Sequence, residues 1–368
     1  MFQLQAIQAE FGDCFIIRFG DEASPKFVLV DGGPKGTYGN HLKTELTKIR
    51  DAGGKIDLVV VSHVDDDHIY GVLELLVDLR EQRINGNTKM LEIKSLWHNA
   101  FDLTFGENYE IADELENIAR STSFGEQSYA IANLACYSIK QGQQLNQIFE
   151  AHKIPINPES NNKIISVESM PHKITNGNLN LRIVGPTEEN LKELRKEWLE
   201  WIQTQKKGQP ADNPFFEAMA DKSYTNTSSI MVLAEAEGKR ILLAGDGRGD
   251  HLIDGLKKTN LLNSKGELHV DILKLPHHGS IKNVSREFFD RIIAQTYIIS
   301  ANGKHGHPSF ETLRYLVESA LQRGDKIALF ATNQTPSLTR LIKKFPPEQS
   351  GYSISVLRKE ENSTLLTP

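Results

Sequence analysis

Asp57-Leu58-Val59-Val60-Val61 is a largely apolar, β-branched run that breaks directly into Ser62-His63-Val64-Asp65-Asp66-Asp67-His68. Such a run is the pattern of a strand covered on both faces, and a strand of that kind demands a layered α/β architecture. The polar cluster falls where the strand ends, and a helix reads from about Val72 to Arg80 just beyond it. Strand, polar loop and helix in that order are the usual setting for a site at the carboxyl edge of a sheet.

The flanking patterns fit the same architecture. Phe2–Ala9, Cys14–Phe19 and Phe27–Val30 are short strand-like runs, broken by Gly12-Asp13 and closed by Asp31-Gly32-Gly33-Pro34. His41–Ala52 has helical periodicity and stops at Gly53-Gly54. Between residues 81 and 224 the pattern weakens. Leu91–Trp97, Lys163–Glu168 and Leu179–Val184 read as strands there, and Glu107–Arg120, Glu126–His152 and Thr187–Lys207 as helices. In the last of these Thr187 is the expected cap, while Leu191, Leu194, Trp198 and Ile202 share a face that suits core packing. From Ser229 strands return at Ile230–Ala236, Arg240–Ala244, Ile272–Leu275 and Tyr297–Ser300, with helices near Ser285–Ala294 and Phe310–Ser319. The expected organisation is one α/β sandwich domain over 1–368, carrying a largely helical insertion at about 81–224 that is a candidate lid.

Composition narrows the class. The 368 residues carry a net charge of −6, against a binder of nucleic acid over its whole surface but compatible with a local basic groove. Two cysteines, Cys14 and Cys136, do not make a disulfide framework. The start, Met1-Phe2-Gln3-Leu4-Gln5, lacks a leader pattern, and no run approaches the roughly 18–20 apolar residues of a membrane span. A cytoplasmic protein without membrane attachment is expected.

His63, Asp65 and Asp67 alternate, so in an extended segment they point into one volume. Three acids in a row repel one another unless solvent or a metal compensates them. Three further clusters also follow strands: Asp246 between Gly245 and Gly247, His277-His278-Gly279-Ser280, and His305-Gly306-His307-Pro308. Imidazoles and carboxylates together suit zinc, iron or manganese, and two ions about 3.5–4 Å apart would need a bridging carboxylate. Asp246 is the candidate for that bridge.

Ser62-His63-Val64-Asp65-Asp66-Asp67-His68-Ile69-Tyr70-Gly71 resembles the His-x-His-x-Asp-His signature of the metallo-β-lactamase superfamily. It is closer to the His-x-Asp-x-Asp-His form in the hydrolase domain of ComEC-type DNA-uptake proteins. The resemblance continues in order through Gly12-Asp13, Val30-Asp31-Gly32-Gly33, Val184-Gly185-Pro186, Asn226-Thr227-Ser228-Ser229, Leu243-Ala244-Gly245-Asp246, Leu273–Ser280 and Gly306-His307-Pro308. It covers roughly residues 1–80 and 179–320 and implies a four-layer αββα sandwich.

The resemblance also implies two divalent ions, manganese or zinc. His63, Asp65 and Asp246 would hold one, and Asp67, His68, Asp246 and His277 the other. Asn226 stands where many members have a histidine ligand, and an amide is a poorer one. His278 would be a neighbouring contact. Asp31 either fixes a ligand imidazole from behind or is simply a turn aspartate. His307 either contacts a phosphate and protonates a leaving oxygen or fixes the turn at Pro308. His305 and Lys304 are weaker candidates, and His98 either lines the site or packs.

The implied function is a metal-dependent hydrolase, foremost a phosphodiesterase or nuclease using a metal-bound hydroxide. Asp67, His278 and His307 would be catalytic, with Lys274, Lys304 or His307 neutralising charge. Two alternatives stand beside it: a hydrolase of small phosphoesters or other esters, and a metal-poor interaction module that Asn226 alone suggests. The expected partner is a nucleic acid or phosphoester substrate, with protein partners from the same operon a freer expectation.

Overall fold

The computed structural model describes residues 1–100, 110–120, 126–161, 163–206 and 225–368. Strands β1 (Phe2–Ile7), β2 (Phe15–Asp21), β3 (Ser24–Val30), β4 (Ile56–Val61) and β5 (Leu96–His98) form one sheet with a late strand, β14 (Ser363–Leu366). The order is β14-β1-β2-β3-β4-β5, antiparallel up to β3 and parallel from β3 to β5. The second sheet holds β6 (Ile174–Asn176), β7 (Leu179–Gly185), β8 (Met231–Ala236), β9 (Lys239–Leu243), β10 (Leu268–Lys274), β11 (Ile292–Ile299), β12 (Ile327–Ala331) and β13 (Tyr352–Val356). These pair consecutively, antiparallel from β6 to β9 and parallel from β9 to β13.

The period of two in β4 shows how the layers form. Leu58 and Val60 join Val28, Val30, Val232 and Ile272 in the core between the sheets. Val59 and Val61 point the other way, into a core shared with α1 (Lys43–Asp51) and α2 (Asp66–Ile84). That outer layer also takes in α3 (Glu110–Arg120), α4 (Glu126–Ala151) and α5 (Glu188–Lys206). The opposite outer layer covers the second sheet with α6 (Gly249–Lys258), α7 (Arg286–Arg291), α8 (Phe310–Arg323) and α9 (Pro336–Lys344). The result is the four-layer αββα sandwich. Trp198 and Trp201 of α5 are buried in the first outer layer, edge to face at 5.6 Å, and serve as core.

Several elements differ from the sequence-based expectation. The helix after the polar cluster begins at Asp66 and not near Val72, because Asp65 is in an extended cap conformation and the acids that follow suit the positive end of a helix. Leu91–Trp97 contributes only the short β5. Lys163–Glu168 forms no strand: Asn99 takes the Ile165 N–H and Ser169 the Ser166 N–H, so side chains capture the backbone groups a ladder would need. Ser285–Ala294 is helical only to Arg291, after which β11 begins. Within 81–224, β5, β6 and β7 are members of the two sheets. Residues 107–109 of the expected helix Glu107–Arg120, and Lys207 at the end of the expected helix Thr187–Lys207, lie outside the described residues. No helix among the described residues is long and apolar enough to cross a membrane.

Candidate metal centre

The strand directions bring the polar clusters together. β3 and β4 are parallel, as are β9, β10 and β11, so the segments following them open onto the shared edge of the sandwich. The loop from β1 to β2 reaches the same place, because Phe15 pairs with Val30. Two glycine contacts lock these loops to α2. A Cβ at Gly12 would lie 2.0 Å from the Asp67 carbonyl oxygen, and one at Gly32 would lie 2.3 Å from the Val72 nitrogen. Only glycine permits that approach, and it lets the Asp13 and Gly32 N–H groups donate to the carbonyls of Asp67 and His68, at 3.1 and 2.7 Å.

Three donor groups result among the described residues; one, Asp13 with Asp31 and His68, lies behind the other two. Asp67, His68, Asp246 and His278 each present one donor atom with all four inside 4.8 Å, and His63, Asp65 and Asp67 do the same. His68 Nε2 lies 3.3 Å from Asp246 Oδ1, and His278 Nε2 lies 3.3 Å from Asp67 Oδ2 and 3.5 Å from Asp246 Oδ2. His63 Nε2 is 3.8 Å from Asp65 and 3.9 Å from Asp246. The Nε2 atoms of His63, His68 and His278 are buried with no hydrogen-bond partner among the described residues. Orphaned ring nitrogens at this depth are costly unless something else meets them. A tetrahedral shell with bonds of about 2.0–2.1 Å has edges of about 3.3–3.4 Å, so the spacing and the donor chemistry both fit a divalent cation.

Asp67 reaches the cluster by a different route from the one expected. It lies in the first turn of α2 beside His68, and only His63 and Asp65 belong to the extended segment. Asp66 stays out of all three donor groups, its carboxylate accepting from Gln141 of α4 at 2.7 Å. His278 occupies the position in the four-donor group that the sequence resemblance gave to His277. His277 lies alongside, with Nε2 3.6 Å from Asp246 Oδ2 and Nδ1 beside Asn283 Oδ1 at 2.7 Å and Asn226 Nδ2 at 3.1 Å. Both histidines have left-handed backbones, φ 45° and 53°. That strain is held by hydrogen bonds from the His277 N–H to the Gly245 carbonyl (3.1 Å) and between His278 Nδ1 and the Ser300 carbonyl (2.8 Å).

Behind the donors lies a layer of buried carboxylates and one buried amine. Asp31, itself left-handed at φ 57°, faces His68 Nδ1 at 2.9 Å and accepts from the Ser62 N–H and Oγ, both at 2.7 Å. Asp13 was visible in the sequence only as part of a turn, yet it sits 3.4 Å from His278 Nδ1 and 3.9 Å from His68 Nδ1. It is ion-paired with Lys274, whose Nζ also donates to the Gly245 carbonyl at 2.9 Å and lies 3.5 Å from Asp246. An acid held between two apolar strands, at the same sheet edge as Asp31, was the available signal.

The electrostatics show a site that wants positive charge. Burial opposes ionisation of Asp246, but His278, His68 and His277 outweigh it and hold its carboxyl well below the usual range. Burial likewise opposes the charged forms of His68 and His278. Asp246 with Asp31, and Asp246 with Asp13, reverse this and raise both well above an ordinary imidazole. His63 goes the other way, pushed well below by burial and by His68.

The centre opens into a cleft of about 510 Å³ whose lining includes Phe11, Lys282, Lys304, His305 and His307. His98 lies elsewhere, fully buried with neither ring nitrogen hydrogen-bonded among the described residues, and burial pushes it down to about 3.

The metallo-β-lactamase superfamily model matches residues 8–87, from the β1–β2 loop to the end of α2. Microtubule-associated protein 1A of Mus musculus is 31% identical over 114 residues, 29% of this chain and 4% of that protein. The Homo sapiens protein of the same name is 28% identical over 141 residues, 36% of this chain and 5% of its own length. ComE operon protein 3 of Bacillus subtilis (strain 168) is 28% identical over 104 residues, 28% of this chain and 13% of that protein. The chain thus spans only a small part of the curated relatives it matches. A solved protein of unknown function from Enterococcus faecalis V583 aligns over 98% of this chain and 78% of its own, at 10% identity and a TM-score of 0.30. That superposition is too loose to carry a parallel. The matched segment, the αββα layering and the buried His/Asp donors at the strand ends support a metallo-β-lactamase-fold protein near the ComEC type, a likeness that suggests a metal-dependent hydrolase.

Proposed function

We propose that this protein is a metal-dependent phosphodiesterase whose substrate class is nucleic acid. The charge of the cleft carries this reading. Its lining holds four carboxylates, Asp65, Asp66, Asp67 and Asp246, against two ammonium groups, Lys282 and Lys304. With the imidazoles uncharged as ligands, two divalent cations would give that lining an excess of two positive charges, so a loaded cleft attracts an anionic ester where it would not attract a neutral one.

In this reading His63, Asp65 and Asp246 hold one cation, and Asp67, His68, Asp246 and His278 the other. Bound there, such ions would lower the pKa of a water and neutralise charge on the phosphoryl oxygens. The protein's own groups orient that chemistry. Asp31 keeps the His68 proton on Nδ1 and its lone pair on the donor side, and the Ser300 carbonyl does the same for His278. Asn283, whose Oδ1 accepts from His277 Nδ1 at 2.7 Å, fixes the ring of His277 at the edge of the centre. Burial, reinforced by His277 and His278, pushes His307 down to about 4. It is therefore uncharged at neutral pH, suited to donating a ring N–H to a phosphoryl oxygen more than to supplying a proton from the resting site.

The test is hydrolysis of bis(p-nitrophenyl) phosphate with manganese or zinc supplied, beside Asp67→Ala. A loss of about a thousandfold, about 4 kcal/mol of barrier, is expected from that substitution. Turnover indifferent to Asp67 would remove the proposal.

A further inference from the structure

The outer wall of the cleft is made by two loops from different sheets. Phe11 belongs to the β1–β2 loop, and Lys304 and His305 to the loop after β11. Two hydrogen bonds, from Asn302 and Ser300, staple the loops together, and one from Asn333 ties the first of them to the loop after β12. Asn302 Nδ2 donates to Glu10 Oε2 at 3.1 Å, Asn333 Nδ2 to the Glu10 carbonyl at 3.2 Å, and Ser300 Oγ to the Gly12 carbonyl at 2.6 Å. Gly303, His305 and Gly306 all have left-handed backbones, at φ 95°, 57° and 78°, which sets the tight path of the second loop.

Within this frame the Lys304 ammonium lies 3.3 Å from the centroid of the Phe11 ring, and His305 meets the same ring edge-on at 6.4 Å. Lys304 is exposed, and no ion pair among the described residues uses its ammonium. An exposed lysine is ordinarily a mobile point charge with about 2 kcal/mol of rotamer entropy. Here the aromatic face fixes it at the edge of a metal-binding cleft without consuming its charge.

We propose that Lys304, seated on Phe11, is a second phosphate subsite that takes the phosphate flanking the one hydrolysed, and so selects a phosphodiester chain over a small diester. This rests on the phosphodiesterase reading. A substrate with one phosphate satisfies the buried centre and leaves Lys304 unmet, whereas a strand supplies an anion to both.

The experiment compares Lys304→Ala, Lys304→Arg and Phe11→Leu with the unsubstituted protein on two substrates, a short fluorescein-labelled DNA strand and bis(p-nitrophenyl) phosphate. Lys304→Ala is expected to lower kcat/KM on the strand about tenfold, mostly through KM, and to flatten the slope of log KM against log salt by about 0.7. The loss on the small diester is expected to be several times smaller. Lys304→Arg should retain most of the strand activity, and Phe11→Leu should fall between. Equal losses on both substrates, or an unaffected strand, would overturn the subsite. If the unsubstituted protein turns over neither substrate, the phosphodiesterase reading fails first. Fluorescence anisotropy of the same strand then judges the rim alone: unchanged affinity in Lys304→Ala overturns it, and weakened affinity upholds it.

Discussion

The floor and the rim of the cleft are built from opposite kinds of residue. His63, His68, Asp246, Lys274 and His278 on the floor are almost free of solvent. On the rim Phe11 is half-buried, while Lys282, Lys304 and His305 are exposed. Each floor residue has a second partner behind it, as Asp31 stands behind His68 and Asp13 behind both His278 and Lys274. The physical reason is the expense of an uncompensated charge. A buried charge that loses its partner stays buried, whereas an exposed one is met by water. The floor is therefore over-determined, and the rim can vary at little cost to the fold.

Lys274→Met is the strongest way to break that contrast. It leaves Asp13 and Asp246 facing a neutral side chain of similar size in a pocket without solvent. Chemical denaturation in the presence of a chelator should show a loss of about 3–5 kcal/mol. Adding Asp13→Asn should recover part of it by removing one of the stranded charges. A loss under about 1 kcal/mol would show that the floor tolerates an unpaired carboxylate and is not built as described. Asp31→Asn sharpens the same point with a smaller effect. Asparagine accepts the left-handed backbone at φ 57° and keeps an oxygen for the Ser62 N–H, so the turn should survive. The charge that fixes His68 is lost, and calorimetric titration with manganese or zinc should show affinity about 10- to 100-fold weaker. Affinity unchanged by Asp31→Asn would reduce it to a turn residue.

The same contrast explains what could be read from the chain. The floor was legible because its residues follow apolar strands, so Val61, Leu243 and Lys274 announce the neighbourhoods of His63, Asp246 and the His277-His278 pair. What could not be read was orientation. Choosing between His277 and His278 depends on two successive left-handed residues, and pairs of histidines carry no pattern that foretells that turn. The early start of α2 was hidden because three acids look like a loop until the cap at Asp65 places them on a helix end. The rim was the least legible part. Phe11 and Lys304 are 293 positions apart and meet only because two sheets share an edge, so no local periodicity links them.

The smallest expected effect tests the rim from the side of stability. A cation seated on an aromatic ring at an exposed site is worth about 0.5–1 kcal/mol, and releasing the lysine returns rotamer entropy that offsets much of it. Lys304→Ala should therefore change unfolding free energy by no more than about 0.5 kcal/mol, measured by denaturant titration. A loss beyond about 1.5 kcal/mol would mean that the contact with Phe11 helps hold the two sheets together. The stapling of Glu10 by Asn302 and Asn333 argues against that, because neither hydrogen bond involves the Lys304 side chain. A kinetic defect in a variant of unchanged stability then belongs to the substrate and not to the fold.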